Sequence, residues 1–194
     1  DTTMLATRIV SHEGDSITAG QSGTPISTLV APNLSPMGYG RNHAVSGSTL
    51  TDLTSRQAGV NATLPNSMSG KTAILVLWEG RNDLPSTYAS NAAGFCAAYA
   101  TLIAAYKAAG WKVVVCSILP STVGGTFNAD ALAANAIMAG WVGTTIDAFC
   151  DYQAVLTANS IVASNSTYFA GGTHPTTTLY TLLEPTLRTV VNAL

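Results

Sequence analysis

The sequence predicts an α/β fold in which a parallel sheet lies between layers of helices. Residues 72–78 (TAILVLW) and 111–118 (WKVVVCSI) are continuous apolar and β-branched runs, which is typical of strands covered on both faces. Longer stretches with helical spacing of apolar residues separate the predicted strands. Strands that alternate with such helices are joined by crossover connections, so we expect parallel βαβ units.

The predicted elements follow one another along the whole chain. Strands are expected at residues 4–11, 39–46, 72–78, 111–118 and 144–149. Helical segments are expected within 20–34 and at 50–60, 87–109, 128–141 and 177–194. Gly110 is the expected stop of the third helical segment, and Asn128 the expected N-cap of the fourth. No repeat or linker divides the chain, so we expect a single domain spanning residues 1–194.

The composition excludes several classes of partner. Only 9% of the residues are charged, the net charge is −2, and Lys and Arg form no cluster. Nucleic acids and anionic membranes both require a basic face, so neither is an expected partner. No apolar run approaches the ~20 residues that span a bilayer. A surface rich in Thr, Ser and Asn with few charges favours a secreted or extracellular protein.

The cysteines and histidines predict neither a metal site nor a cofactor. The chain has three cysteines, Cys96, Cys116 and Cys150, and therefore at least one unpaired thiol. We expect buried free thiols, with one disulfide as the alternative. No C-x-x-C pair exists and the three histidines lie far apart in the sequence, so a zinc site is not expected.

Four polar segments stand where such a fold places its chemistry. They are Gly14-Asp15-Ser16, Ser46-Gly47, Gly80-Arg81-Asn82-Asp83 and His174-Pro175. The first three follow predicted strands and the fourth precedes the last helix. Because the carboxyl ends of parallel strands meet at one edge of a sheet, we expect the four segments to lie together.

Each segment supplies a group that acyl transfer needs. A strand-to-helix turn presents the Ser16 hydroxyl near backbone N–H groups and the positive helix end. The His174 imidazole could act as the base for that hydroxyl. The Asn82 amide can donate a hydrogen bond to a developing oxyanion, and Gly47 allows the backbone to approach a substrate.

This order of segments resembles the SGNH (GDSL-type) hydrolases, and the resemblance extends from Gly14 to Pro175. It implies a three-layer, flavodoxin-like fold with a five-stranded parallel sheet and no cofactor or metal. It also implies that Ser16 is the nucleophile and the first oxyanion donor, with Gly47 and Asn82 as the other donors. His174 would be the base, and Asp15 would order the nucleophile turn.

One position departs from the family pattern. The family normally carries an Asp three residues before the catalytic His, and here that position is Gly171. The favoured explanation is a relocated acid at Glu13, since a charge at the end of a buried strand needs a partner. Glu79, which ends another buried strand, is the second candidate. The alternatives are a Ser–His dyad oriented by a backbone carbonyl or water, and a protein that has lost activity.

The expected function is therefore hydrolysis of a carboxylic ester through an acyl-enzyme. The expected substrate is a small molecule or glycan ester with a short acyl group, such as acetyl on a carbohydrate. Two alternatives remain open: a catalytically impaired domain that binds carbohydrate or is structural, and an acyltransferase on the same fold.

Overall fold

The computed structural model describes residues 8–35, 38–64 and 70–194, and in these ranges the predicted α/β fold is confirmed. The strands of the main sheet are β1 Arg8–Gly14, β2 Gly38–Tyr39, β3 Thr72–Trp78, β4 Lys112–Cys116 and β5 Ala148–Cys150. They pair in parallel in the order β2-β1-β3-β4-β5. The edge segment β2 is only two residues long, so four strands form the body of the sheet.

Helices cover both faces of this sheet. They are α1 Ser16–Ala19, α2 Ile26–Val30, α3 Leu50–Asn61, α4 Ala92–Ala108, α5 Phe127–Ala139, α6 Tyr152–Ala158 and α7 Thr177–Asn192. A 3-10 turn at Ala31–Asn33 follows α2, and a small antiparallel pair, β6 Phe169–Ala170 and β7 His174–Pro175, precedes α7.

The alternation of side chains along β3 produces the three layers. Ile74, Val76 and Trp78 are buried in the cluster that contains the apolar residues of α2, α6 and α7. Leu75 and Leu77 are buried on the other face, against α3, α4 and α5. Each fully buried aliphatic side chain contributes about 1.5–3 kcal/mol, so β3 is held firmly from both sides. The loops at its carboxyl end are thereby fixed in space.

Several predicted boundaries are wrong. The second strand, predicted at 39–46, ends at Tyr39, because the Gly40 backbone presses so closely on β1 that an added Cβ would lie 1.5 Å from the carbonyl oxygen of Val10. After a single bridge between Asn42 and His12, the chain continues as a loop. Residues 4–7 of the predicted first strand lie outside the described ranges, and β1 extends past Ser11 to Gly14.

Later elements also differ from the prediction. Asn128 is not an N-cap, because α5 begins at Phe127. The Asn128 side chain instead accepts a hydrogen bond from the Ser121 N–H and donates one to the Ser121 carbonyl oxygen. The strand predicted at 144–149 begins only at Ala148, because residues 144–146 turn back onto the carbonyl of Trp141. Helix α6 was not predicted from the sequence.

Cys96, Cys116 and Cys150 are free and buried, as expected. In the described part of the chain, no helix has the length and apolar character needed to cross a lipid bilayer. The same residues contain no group of three or more His, Cys, Asp or Glu side chains arranged to hold a metal ion.

Candidate active site

The nucleophile turn joins the end of β1 to the start of α1. At Gly14 an added Cβ would lie 2.0 Å from the carbonyl oxygen of Trp78, so only glycine fits between these two strand ends. Asp15 is buried and caps α1, since its Oδ1 accepts a hydrogen bond from the Ile17 N–H at 2.8 Å. Ser16 is therefore the first helical residue, and its hydroxyl stands at the positive end of the turn.

The structure brings Ser16 and His174 together across 158 positions of sequence. The Ser16 Oγ lies 2.9 Å from the His174 Nε2, which is hydrogen-bonding distance. His174 pairs with Ala170 in the short β6–β7 ladder, which positions its ring at the carboxyl edge of the main sheet. Burial lowers the pKa of His174, and the nearby Arg81 cation lowers it further. The imidazole is therefore neutral at neutral pH, the state required of a general base.

The other nitrogen of the His174 ring has no acid partner among the residues that the structure describes. Throughout residues 8–35, 38–64 and 70–194, no hydrogen bond or ion pair joins this imidazole to a carboxylate. Position 171 is exposed, its φ is +58°, and an added Cβ would meet nothing within 4 Å. The place where the family pattern has an Asp is thus open space.

The loop that carries His174 is held by the loop after β4. The carbonyl oxygen of Gly172 accepts a hydrogen bond from the Thr122 N–H at 2.9 Å and another from the Ser121 hydroxyl at 3.1 Å. The Ser121 hydroxyl also lies 2.8 Å from the Thr173 hydroxyl. These contacts fix the backbone before His174 without orienting its ring.

Glu13 does not supply the missing acid. Its carboxylate is fully buried and accepts hydrogen bonds from Arg56, at 2.6 Å from Nη2 and 2.9 Å from Nε, and from the Gly14 N–H at 3.1 Å. The expectation that Glu13 pairs with His174 is therefore corrected: a buried charge at a strand end does need a partner, and that partner is the guanidinium on α3. Burial raises the pKa of Glu13, and Arg56 opposes that shift.

The loops carrying Gly47 and Asn82 are bonded to each other. The Asn82 Nδ2 donates to the carbonyl oxygen of Ser48 at 2.8 Å, and Arg56 Nη1 donates to the Ser48 hydroxyl at 2.9 Å. Gly47 has a φ of +82°, within a turn closed by the Ser48 N–H and the Val45 carbonyl at 3.1 Å. Because an amide nitrogen carries two hydrogens, Asn82 keeps one donor for a substrate oxygen.

Glu79, the second candidate acid, also has another partner. Its Oε1 accepts a hydrogen bond from the Gly80 N–H at 2.9 Å, and its side chain lines the same small cavity as the buried Asp15. The neighbouring Arg81 guanidinium lies 5.1 Å from the centre of the Phe127 ring and 3.4 Å from the Thr173 hydroxyl. Arg81 thus lies beside the residue that precedes His174.

Arg56 and Ser48 are the site residues that sequence reasoning missed. The requirement for a partner at Glu13 was a signal for a nearby cation. The chain has several arginines, however, and whether Arg56 reaches Glu13 depends on how α3 packs. Ser121 carried no sequence signal, since it is one serine in a Ser- and Thr-rich loop.

A serine hydroxyl bonded to a neutral imidazole at the carboxyl edge of a parallel sheet is the arrangement of an α/β serine hydrolase. The sequence profile of the GDSL-like Lipase/Acylhydrolase family matches residues 14–182, and the chain belongs to this family. The chain is therefore a carboxylic ester hydrolase by family. The matched range includes Ser16, Gly47, Asn82 and His174. No curated protein sequence matches the chain.

Solved structures of this family share the fold. A member of the lipolytic G-D-S-L family from Veillonella parvula superposes with a TM-score of 0.75 at 16% identity, over 96% of this chain and 100% of that one. The acetylxylan esterase Axe2 from Geobacillus stearothermophilus gives 0.69 at 15% identity, over 96% and 94%. A GDSL-like lipase from Bacteroides thetaiotaomicron gives 0.67 at 22% identity, over 96% and 88%.

Proposed function

We propose that this chain hydrolyses short acyl esters, with acetyl groups on a carbohydrate as the preferred substrate, through an acyl-enzyme on Ser16. The observation that carries the proposal is the 2.9 Å contact between the Ser16 Oγ and the His174 Nε2. A nucleophile and its base must lie within this reach for the proton to pass between them.

The chemistry proceeds in two balanced halves. The Ser16 Oγ attacks the ester carbonyl carbon while its proton passes to the His174 Nε2, and the tetrahedral oxyanion accepts hydrogen bonds from the N–H groups of Ser16 and Gly47 and from the Asn82 side chain. The intermediate then expels the alkoxide, which takes the proton from His174. Water attacks the acyl-enzyme by the same route and releases the carboxylic acid and the free Ser16 hydroxyl.

The base acts in a dyad. No carboxylate bonds the imidazole within the described ranges, and the backbone around His174 is held by the β6–β7 ladder and the Ser121–Gly172 contacts. In a serine protease, removing the orienting carboxylate function lowers kcat by about 10⁴. We therefore expect a slow esterase, in which His174 must be activated without a negative charge behind it.

The preference for acetyl esters of carbohydrates rests on two supports. Axe2, which shares the fold, is an acetylxylan esterase. Two of its solved forms are catalytic mutants: a histidine is replaced by alanine in one and a serine by alanine in the other. Arg81 lies 3.4 Å from the hydroxyl of Thr173, the residue before His174, and Ser46 precedes Gly47; these polar side chains suit a hydroxylated substrate better than a long acyl chain.

A chromogenic acetyl ester assay tests this function. Ser16→Ala should lower kcat on the order of 10²-fold. This loss is smaller than in an enzyme with a full triad, because the members of a triad act as a unit and the acid is already missing here. The matched control is Ser166→Ala, an exposed loop serine that should leave kcat unchanged. Acetyl xylooligosaccharide should then be deacetylated faster than the same backbone carrying longer acyl groups.

A second candidate, a carbohydrate-binding or structural domain without catalysis, is favoured by the open position at Gly171. It predicts equal, background-level turnover for the wild type and Ser16→Ala, with retained affinity for the glycan. That pair of results would replace the esterase proposal.

A further inference from the structure

Two buried acids lie side by side beneath the nucleophile. Gly14 and Trp78 are the last paired residues of the adjacent parallel strands β1 and β3. Asp15 and Glu79 are the residues that follow them. Asp15 is 1% exposed and Glu79 is 2% exposed, and both side chains line the same small cavity. Neither serves in the ester hydrolysis steps described above.

The hydrogen bonds that the two carboxyl groups receive from the described residues leave one Glu79 oxygen unsatisfied. One oxygen of each carboxyl accepts a backbone N–H: Asp15 Oδ1 from Ile17 at 2.8 Å, and Glu79 Oε1 from Gly80 at 2.9 Å. The Glu79 Oε2 finds no donor among the described residues. Two ionised carboxylates buried at the ends of adjacent strands would repel each other and leave this oxygen without a donor, whereas a proton on one of them relieves both costs.

The charges around the pair do not replace this proton. Within residues 8–35, 38–64 and 70–194, no cation lies within ion-pair distance of either carboxyl. At longer range, the charge of Arg81 lowers the pKa of Asp15 and the charge of Asp83 raises it. The ionisable groups that face the pair from α4 and α7 are Tyr99 and Tyr180. Burial raises the pKa of both carboxyls, and for Glu79 the nearby Asp15 charge raises it further.

We propose that Asp15 and Glu79 share one proton at neutral pH, and that Glu79 is a positioning residue that ties the Ser16 turn to the Asn82 loop through this proton. Asp15 caps the helix that begins at Ser16, and Glu79 holds the backbone N–H of Gly80, one residue before Arg81 and two before Asn82. The kinetic half of the proposal rests on the ester hydrolysis proposed above. The proton itself is measurable without any substrate.

The shared proton makes a signed prediction for stability. At a pH above the ordinary pKa of a carboxyl group, the unfolded chain has lost a proton that the native pair still holds. The free energy of unfolding therefore falls as pH rises, until the native pair also ionises. In that window the unfolding constant of the wild type should rise about tenfold per pH unit relative to Glu79→Gln. Glutamine keeps the shape and donates a permanent N–H to Asp15, so its profile should lack this proton.

An infrared measurement detects the proton directly. The wild type at pH 7 should show the C=O stretch of a buried protonated carboxyl, and Glu79→Gln should lose it. The matched control is Glu184→Gln on α7, whose carboxylate pairs with Arg188 and should leave the band in place. A wild type without the band, or a band that survives in Glu79→Gln, overturns the shared proton.

Kinetics on an acetyl ester test the positioning role. Glu79→Gln should keep kcat within about threefold of the wild-type value at pH 7. At alkaline pH its kcat should not show the decline that ionisation of the pair causes, because the glutamine N–H cannot ionise. Glu79→Leu should lower kcat at least tenfold with KM little changed, since Asp15 is left without a donor.

Equal kcat values for the Gln and Leu variants would remove the positioning role. A wild type that shows the infrared band but no ester turnover would remove the proposed function and leave the shared proton standing. The two failures are thus distinguishable.

Discussion

The two sides of the Ser16–His174 contact are built differently. On the nucleophile side, the buried acid at the end of β1 is paired with Arg56, and Ser48 accepts hydrogen bonds from Arg56 and from the Asn82 side chain, which joins the loops after β2 and β3. On the base side, the His174 ring contacts Ser16, and the acid position of the family pattern is an open glycine. The proposed nucleophile and its proposed amide donors thus lie on tightly bonded segments, while the proposed base has no carboxylate partner among the described residues. Any catalytic weakness should therefore originate at position 171.

The largest expected effect tests the rigid side. Arg56→Met removes the guanidinium from Glu13, which is fully buried, and should destabilise the fold by about 3–5 kcal/mol because an unpaired charge remains inside. Urea denaturation measures this change. The control is Lys107→Met, which breaks the more exposed pair between Lys107 and Asp147 and should cost under about 1 kcal/mol. Equal losses in the two variants would show that the Glu13–Arg56 pair is not the anchor of this side.

The open side can be sharpened by adding the missing acid. Gly171→Asp places a carboxylate where an added Cβ meets nothing within 4 Å, and Asp tolerates the φ of +58° better than most residues do. If it reaches the His174 Nδ1, it should raise kcat on an acetyl ester at least about tenfold. Gly171→Asn, similar in shape without the charge, is the control and should give a smaller gain. A kcat unchanged in both variants would mean that the loop cannot present an acid to this ring.

The smallest expected effect concerns the pH profile. Burial and Arg81 both lower the pKa of His174, and activity requires the neutral imidazole, so kcat/KM should rise with pH through a value below 6.5. Arg81→Met removes the cation, so the rise of kcat/KM should move to higher pH. Arg41→Met, on an exposed residue, is the matched control. A limb that moves to lower pH in Arg81→Met would contradict the sign of this effect.

The sequence was sufficient to predict the elements that carry strong local signals. Continuous apolar runs identified β3 and β4, and the order of the four polar segments placed Ser16 and His174 at one edge of the sheet. It was not sufficient for short elements: β2 ends where Gly40 presses against β1, and α6 follows a buried strand without a distinctive pattern. Their bounds depend on packing rather than on periodicity.

The partners of the buried acids could not be predicted for a related reason. The sequence correctly indicated that Glu13 needs a partner, but Arg56 reaches it only because α3 packs over the end of β1. The Asp15–Glu79 contact likewise depends on the register of two strands separated by more than 50 residues of sequence. Charge compensation in a core is a pairwise spatial property, and a single sequence shows only which residues require it.

Trapping of the acyl-enzyme tests the central claim most directly. The wild type, mixed with an acetyl ester and quenched during turnover, should gain the mass of one acetyl group on the peptide that contains Ser16. Ser16→Ala should gain none, and His174→Ala should acylate far more slowly. An acetyl group found on another residue, or turnover that persists undiminished in Ser16→Ala, would contradict the account.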